Sequence, residues 1–385
     1  MPSRLAYVSF DTVPAPKGAS THIEAFARAL AAAFGEIDLV TVSPGSEPTP
    51  PVERWPGVVH TELPATGRSL IDRVLCFRHH LSRWMRPRSF DAIQFRSIFE
   101  GLPLLRFRQR TRLVFEVNGM PSVELKYRYP AVVDDRELML KIVAQEEACC
   151  RAADLIITPS RVTREFLVSQ RGAESGKIRV VPNGVDLEVF TPSPGTDRAG
   201  CRLLYFGTLA EWQGVELAIR ALTQVPGAIL TIVGSGSARQ RETLVNLAGK
   251  LRVKVVVLAP VSQRELVRHI HAADAVLAPL TLNDRNIEQG CCPLKILEAM
   301  AAGTPVIASD LPVVRELGRD GEHFLVAKPG SVDQIAQNVN RLTADRELAA
   351  QISRQARRHV EANYSWSRAG AALCSAYGEL AVNRA

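Results

Sequence analysis

The sequence contains no run of eighteen or more apolar residues, so no membrane-spanning helix is expected from it. Its opening residues, MPSRLAYVSFDTV, lack the long apolar stretch of a secretory leader and read as a first strand, Leu5 to Phe10. A cytoplasmic protein is the expectation. Cysteine is sparse and wrongly spaced for a metal. The seven cysteines include the adjacent pairs Cys149-Cys150 and Cys291-Cys292 and no Cys-x-x-Cys, so reduced thiols are expected and no zinc site. Acids are nearly missing from residues 68 to 112. Arginines stand there at 68, 73, 78, 83, 86, 88, 96, 106, 108, 110 and 112, against Asp72, Asp91 and Glu100 alone. Aromatics interleave little with those arginines, and no DNA or RNA module is recognisable, so nucleic acid ranks low as a partner. An anionic membrane surface or a polyphosphate suits such a patch; so does a solvated basic face with no partner.

What remains is the composition of a globular chain. Hydrophobic residues make up 46% and charged residues 23% of 385, with a formal net charge of +7. That length suggests about two domains, each with a full core. Strand-like and helix-like segments alternate throughout. In the first half, Leu5–Phe10, Ile37–Val42, Asp91–Ile93, Leu113–Val117 and Leu155–Thr158 read as strands; His22–Phe34 and Glu137–Ala153 read as helices. The stretch 186 to 200, DLEVFTPSPGTDRAG, is rich in Pro, Gly and polar residues and reads as a linker. The pattern then restarts with strands Arg202–Phe206, Ala228–Val233, Lys254–Leu258, Ala275–Ala278 and Pro305–Ala308. Helices are expected at Val215–Leu222, Gln263–Ala272, Lys295–Ala302, Ser331–Thr343 and Asp345–Ala362. The reading is two doubly wound α/β halves, with ligands at the carboxyl ends of the strands and a cleft between. The divisions are 1–190, 200–364, and an amphipathic tail of about 365–385 that caps the second half or crosses back to the first.

Three small-residue turns precede helices: PAPKGASTH (14–22), VGSGSAR (233–239) and GCCPLK (290–295). Free N–H groups and the helix dipole make such places anion sites. Gly234 and Gly236 lack the third glycine of a dinucleotide fingerprint, and no acid follows a strand about twenty residues on, which argues against nicotinamide. In the third turn, Pro293 suits the first helical position, and the N–H groups of Cys292, Leu294 and Lys295 face outward for a phosphate. Lys295 is a cation in a first turn, where the dipole disfavours it unless an anion binds. Glu298 lies one turn on, on the same helical face, and a carboxylate there accepts two ribose hydroxyls. An exposed lysine paired with a nearby acid is the bland alternative.

The run PLKILEAMAAGTPVIASD through PVVRELGRDGEHFLV resembles the donor-site signature of family-4 glycosyltransferases. PKGASTHIEAFARAL, EEACCRAADLIITPSRVTREFL, IRVVPNGVDLEVFTP, LLYFGTLAEWQGVELAIRAL, LTIVGSGSARQRETL and ELVRHIHAADAVLAPL resemble other segments of that family, in order. The resemblance covers nearly the whole chain. It implies the GT-B fold, two Rossmann-like domains facing across a cleft, with 1–190 on the acceptor side and 200–364 holding the donor. It implies a retaining, metal-independent transferase that moves a sugar from a nucleotide sugar to a glycan or lipid-linked acceptor. A UDP-sugar is favoured over a GDP-sugar, with no separate cofactor. Two alternatives are a catalytically weak protein of this fold that binds nucleotide sugar as a scaffold, and a non-hydrolysing sugar-nucleotide epimerase.

By the same resemblance Gly18 approaches the donor, and Asn118 stands where the family often carries a histidine near the transferred sugar. Glu298 matches the ribose-binding carboxylate, and the turn Gly290-Cys291-Cys292-Pro293-Leu294 leads to it. His22, Arg96 and Glu124, with Glu100 and Arg128 near them, are expected on the acceptor side; ordinary surface or salt-bridge roles are the alternative for Arg96, Glu100, Glu124 and Arg128. Three departures stand out. The family usually has a second glutamate eight places before Glu298, and here that residue is Gly290, with Glu288 nearby at the wrong spacing. Its two diphosphate-binding cations correspond to Thr208 and Gln213. Each lost charge-assisted contact is worth roughly 1.5–3 kcal/mol. Lys295, or Arg285, is expected to supply the missing charge.

Overall fold

The computed structural model describes residues 4–15, 17–193 and 200–382. It divides into two compact units: Met1–Pro182 with Gln289–Cys291 and Ser367–Ala385, and Asn183–Glu288 with Cys292–Trp366.

The first unit is built on eight strands: β1 (Leu5–Val8), β2 (Ile37–Ser43), β3 (Val52–Trp55), β4 (Val58–Pro64), β5 (Ala92–Phe95), β6 (Arg112–Glu116), β7 (Leu155–Thr158) and β8 (Ile178–Val180). Their order is β3-β4-β2-β1-β5-β6-β7-β8. All neighbours are parallel except β3 and β4. β1, β5 and β7 are buried at every residue. Such unbroken apolar runs belong to a parallel sheet covered on both faces. Phe95 and Phe115 stack across β5 and β6 with centroids 4.8 Å apart.

The helix Gly18–Phe34 starts four residues before the expected His22, so the turn after β1 is shorter than the sequence suggested. Helices Leu70–Met85 and Ile98–Leu104 were not foreseen; they run through the arginine-rich span. Ser69 with Asp72, and Ser97 with Glu100, form capping boxes at their starts. The span therefore splits in two. Arg78 donates to the carbonyls of Ile98 and Phe99, Arg88 stacks on Trp84, and Arg112 pairs with Asp154. Arg68, Arg73, Arg83, Arg86, Arg106, Arg108 and Arg110 face solvent.

The second unit has six parallel strands: β9 (Arg202–Phe206), β10 (Ile229–Val233), β11 (Lys254–Leu258), β12 (Ala275–Ala278), β13 (Val306–Ser309) and β14 (Leu325–Ala327). The order β11-β10-β9-β12-β13-β14 reverses between β9 and β12, the position where doubly wound sheets open a ligand crevice. Residues 186 to 193 are not a free linker. Phe190 is 1% exposed, and its carbonyl accepts from Arg357 in the same unit. Residues 194 to 199 of the expected linker lie outside the described residues. No described helix is long and apolar enough to cross a membrane. None of the seven cysteines is in a disulfide, and burial pushes the Cys150 thiol up to about 12.

Candidate active site

In the first unit the carboxyl ends of β1, β5 and β6 meet around Glu116, a residue the sequence reading passed over. Glu116 is the last residue of β6 and is 1% exposed. Its Oε2 accepts from Tyr7 Oη and from Gln94 Nε2, both at 2.6 Å. Its Oε1 lies 2.8 Å from Arg96 Nε and 2.8 Å from His22 Nε2, and accepts from Asn118 Nδ2. Burial alone drives a carboxyl up. Here Arg96, His22 and the hydrogen bonds win, and Glu116 is held well below the usual carboxylate range. Arg96 also reaches Asp11 at 3.0 Å, and Asp11 holds Lys17 at 2.7 Å. That chain of charges anchors the residue just before Gly18, where the first helix begins.

His22 and Arg96 are 4% and 9% exposed, with polar atoms engaged by Glu116 and Asp11. Both side chains face Glu116, which in turn accepts from Asn118. Asn118 is half-buried. Glu124 belongs to a different group. Its Oε1 accepts from Gln289 Nε2 at 3.1 Å, while Gln289 Oε1 accepts the Met120 N–H at 2.8 Å. Gln289 is fully buried and was also missed. Arg128, at the end of the helix Pro121–Arg128, is exposed. Glu100 is fully buried; its Oε1 accepts the N–H groups of Arg96 and Ser97, while Oε2 has no partner among the described residues. Burial pushes its carboxyl up to about 8.

Gly290 now has a physical explanation. Its φ is +78°, and a Cβ there would stand 2.9 Å from the Thr163 backbone nitrogen and from Val162. Glutamate does not fit that backbone. Glu288, in the π-turn Arg285–Gln289, is exposed. Cys291, next to Gly290, is half-buried.

In the second unit the carboxyl end of β9 runs into Gly207 and Thr208, and the short turn Glu211–Gln213 follows. Gly234, after β10, packs on this turn so closely that a Cβ would lie 1.8 Å from the Gly207 carbonyl oxygen. Gly236 is hemmed in by Leu209. Thr208 is exposed and Gln213 half-buried. Pro293 caps the helix Leu294–Ala301 and does not occupy its first turn. The Cys292 carbonyl is held by Asn183 Nδ2 at 2.9 Å, which fixes the approach to that helix. Pro293 and Leu294 are half-buried.

Lys295 is not a surface lysine. It is 9% exposed; its Nζ donates to Gln213 Oε1 at 2.5 Å and lies 4.0 Å from the centroid of the Tyr205 ring. A Cβ on Gly207 would be 3.3 Å from the same nitrogen. So the ammonium reaches a side chain that the resemblance equates with a diphosphate cation. Arg285 stands over Trp212, 5.1 Å from its ring centroid. Glu298 is half-buried, and its carboxyl lies deep enough that burial pushes its pKa up to about 7 against the pull of Lys295.

Residues 16–189 match the model of Glycosyltransferase Family 4, and residues 195–359 match that of Glycosyl transferases group 1. A D-inositol 3-phosphate glycosyltransferase of Xylanimonas cellulosilytica is 26% identical over 99% of this chain and 98% of that protein. One from Mycolicibacterium smegmatis is 28% identical over 98% of this chain and 91% of that protein. Among solved structures, sucrose-phosphate synthase from Thermosynechococcus elongatus aligns with a TM-score of 0.83 at 20% identity, covering 99% of this chain and 100% of that one. Anabaena HepE in complex with UDP-glucose aligns with a TM-score of 0.77 at 17% identity, covering 98% and 99%. Two doubly wound parallel sheets, glycine turns at their carboxyl ends and two family models spanning most of the sequence agree: the chain has the GT-B fold and belongs to the family-4, group 1 glycosyltransferases.

Proposed function

We propose that the protein is a retaining glycosyltransferase that works without a metal and takes its sugar from a nucleotide donor, a UDP-sugar by preference. One observation carries the donor assignment. The ammonium of Lys295 sits at Gln213 Oε1 and beside Gly207, at the carboxyl end of β9. There, on a side chain 9% exposed, it offsets the charge that builds on a leaving diphosphate. Gly234 lets the backbone approach closely; Glu298, once ionised, accepts the ribose hydroxyls. Asn118, fixed by Glu116, holds a sugar hydroxyl, and Glu124 faces the acceptor. Neighbours of the same fold solved with UDP-glucose and with UDP support the uridine preference.

The acceptor is a glycan or a lipid-linked sugar, met at the cytoplasmic face of a membrane. Exposed Ile71 and Leu75, four residues apart on one helix with Arg68, Arg73, Arg83 and Arg86 nearby, favour an anionic surface. Co-sedimentation with vesicles of phosphatidylglycerol, lost in high salt, tests that part.

The donor reading is tested by calorimetry with UDP, GDP, ADP, CDP and TDP in the absence of metal. UDP is expected to bind. Lys295→Ala is expected to weaken it roughly 10–100-fold and to cut transfer, with unchanged circular dichroism. Near-normal activity in that variant sinks the role of Lys295. No binding of any diphosphate by the wild type favours the scaffold alternative.

A further inference from the structure

Lys295 has a long, flexible stem, and its usefulness depends on what holds its end still. Two neighbours in the second unit do so. Tyr205, in β9, is fully buried, and its ring lies under the ammonium at 4.0 Å from the centroid. Its hydroxyl donates to the Thr208 carbonyl at 2.5 Å and lies 3.5 Å from Gln213 Oε1. Gln213 in turn accepts from Lys295. Gln213 is itself held in place: the next residue, Gly214, has φ +65°, and a Cβ there would strike the Pro279 carbonyl oxygen at 1.9 Å. Backbone turn, phenol, amide and ammonium therefore form one closed set. A ring face attracts a cation by its quadrupole, and more strongly where water is excluded.

We infer that Tyr205 is a positioning residue for the transfer reaction: its ring is the platform that fixes Lys295, and its hydroxyl fixes the turn that carries Thr208 and Gln213. This rests on the donor-site reading above. Tyr205 contacts Lys295, Thr208 and Gln213. Its effect passes through Lys295, so it acts on the diphosphate and not on the nucleoside.

The experiment compares UDP with uridine by calorimetry in wild type, Tyr205→Phe, Tyr205→Leu and Gln213→Ala, and repeats Tyr205→Leu in a Lys295→Met background. Tyr205→Phe keeps the ring and is expected to stay within a few-fold of wild type for UDP. Tyr205→Leu is expected to lose about tenfold for UDP, none for uridine, and to lower kcat more than it raises KM. In the Lys295→Met background the same change is expected to cost nothing further. Gln213→Ala, on a half-exposed turn, gives the same UDP-selective loss if Tyr205→Leu folds poorly. Equal losses for UDP and uridine, or a full loss persisting without Lys295, overturn the inference and leave the donor site standing. Failure of the wild type to bind UDP overturns both.

Discussion

Each unit carries one glutamate at the centre of its candidate site, and the two glutamates are treated oppositely. Glu116 is walled in: four donors and the His22 imidazole converge on its two oxygens. Glu298 is half-buried, and its carboxyl holds its proton up to about 7. A saturated carboxylate has nothing left to offer a ligand. An unsaturated one keeps a high pKa until something arrives that favours its charge. Saturation, and not burial alone, decides which of the two carboxyls is held ionised.

The comparison breaks most visibly at Glu116. Glu116→Ala leaves Arg96 and its neighbours buried without their anion and is expected to cost about 3–5 kcal/mol in urea unfolding. A loss below about 1 kcal/mol would mean that the five contacts carry little. Restoring the family's second acid comes next. Gly290→Glu is expected to destabilise by at least about 2 kcal/mol, because its φ is left-handed and its Cβ meets backbone. An unchanged melting temperature with gained activity would contradict this.

At Glu298 the effect moves from stability to binding. On the proposed role the ionised carboxylate accepts the ribose hydroxyls, so uridine affinity is expected to rise as pH climbs through about 7. Glu298→Gln should be about tenfold weaker at pH 8 and flat across that range. Uridine is the probe because it has no phosphate titrating in the same window. A pH slope that survives in the variant would place the titrating group elsewhere. At pH 5 the smallest effect is at Glu100, buried like Glu116 but with one oxygen unpartnered among the described residues. The unfolded chain releases this proton at ordinary carboxyl pH, about 4, and the folded chain at about 8. Stability therefore falls as pH rises between those values. Glu100→Gln is expected to change stability at pH 5 by about 0.5 kcal/mol or less, and to unfold later than wild type at pH 9. Parallel pH profiles would refute the assignment.

Most of both sheets was legible because unbroken apolar runs between turns have few other readings. The exceptions are instructive. β3 is an edge strand with Val52 59% exposed, so it lacks an apolar period; β4 has its apolar residues interrupted by His60-Thr61-Glu62; β8 and β14 have three residues each. The helix Leu70–Met85 was hidden because its arginines drew notice as charge and not as a helical face. Lys295 was legible as a cation oddly placed at a helix start. Its platform was not, since Tyr205 reads as core from sequence. Glu116 was invisible for a related reason. Its partners lie at 7, 22, 94, 96 and 118, and topology alone gathers them.

The first unit is completed by residues from far along the chain. Tyr377, in the last helix, Trp366–Val382, is 1% exposed and donates to Gln94 Oε1 at 2.8 Å. Gln94 in turn donates to Glu116. During synthesis the first sheet therefore leaves the ribosome without its closing helix. It must wait, with Gln94 half satisfied, until the helix Trp366–Val382 has emerged. A nascent chain stalled near residue 190 would be expected to engage chaperones, and a gene cut there would not yield an independent N-terminal domain.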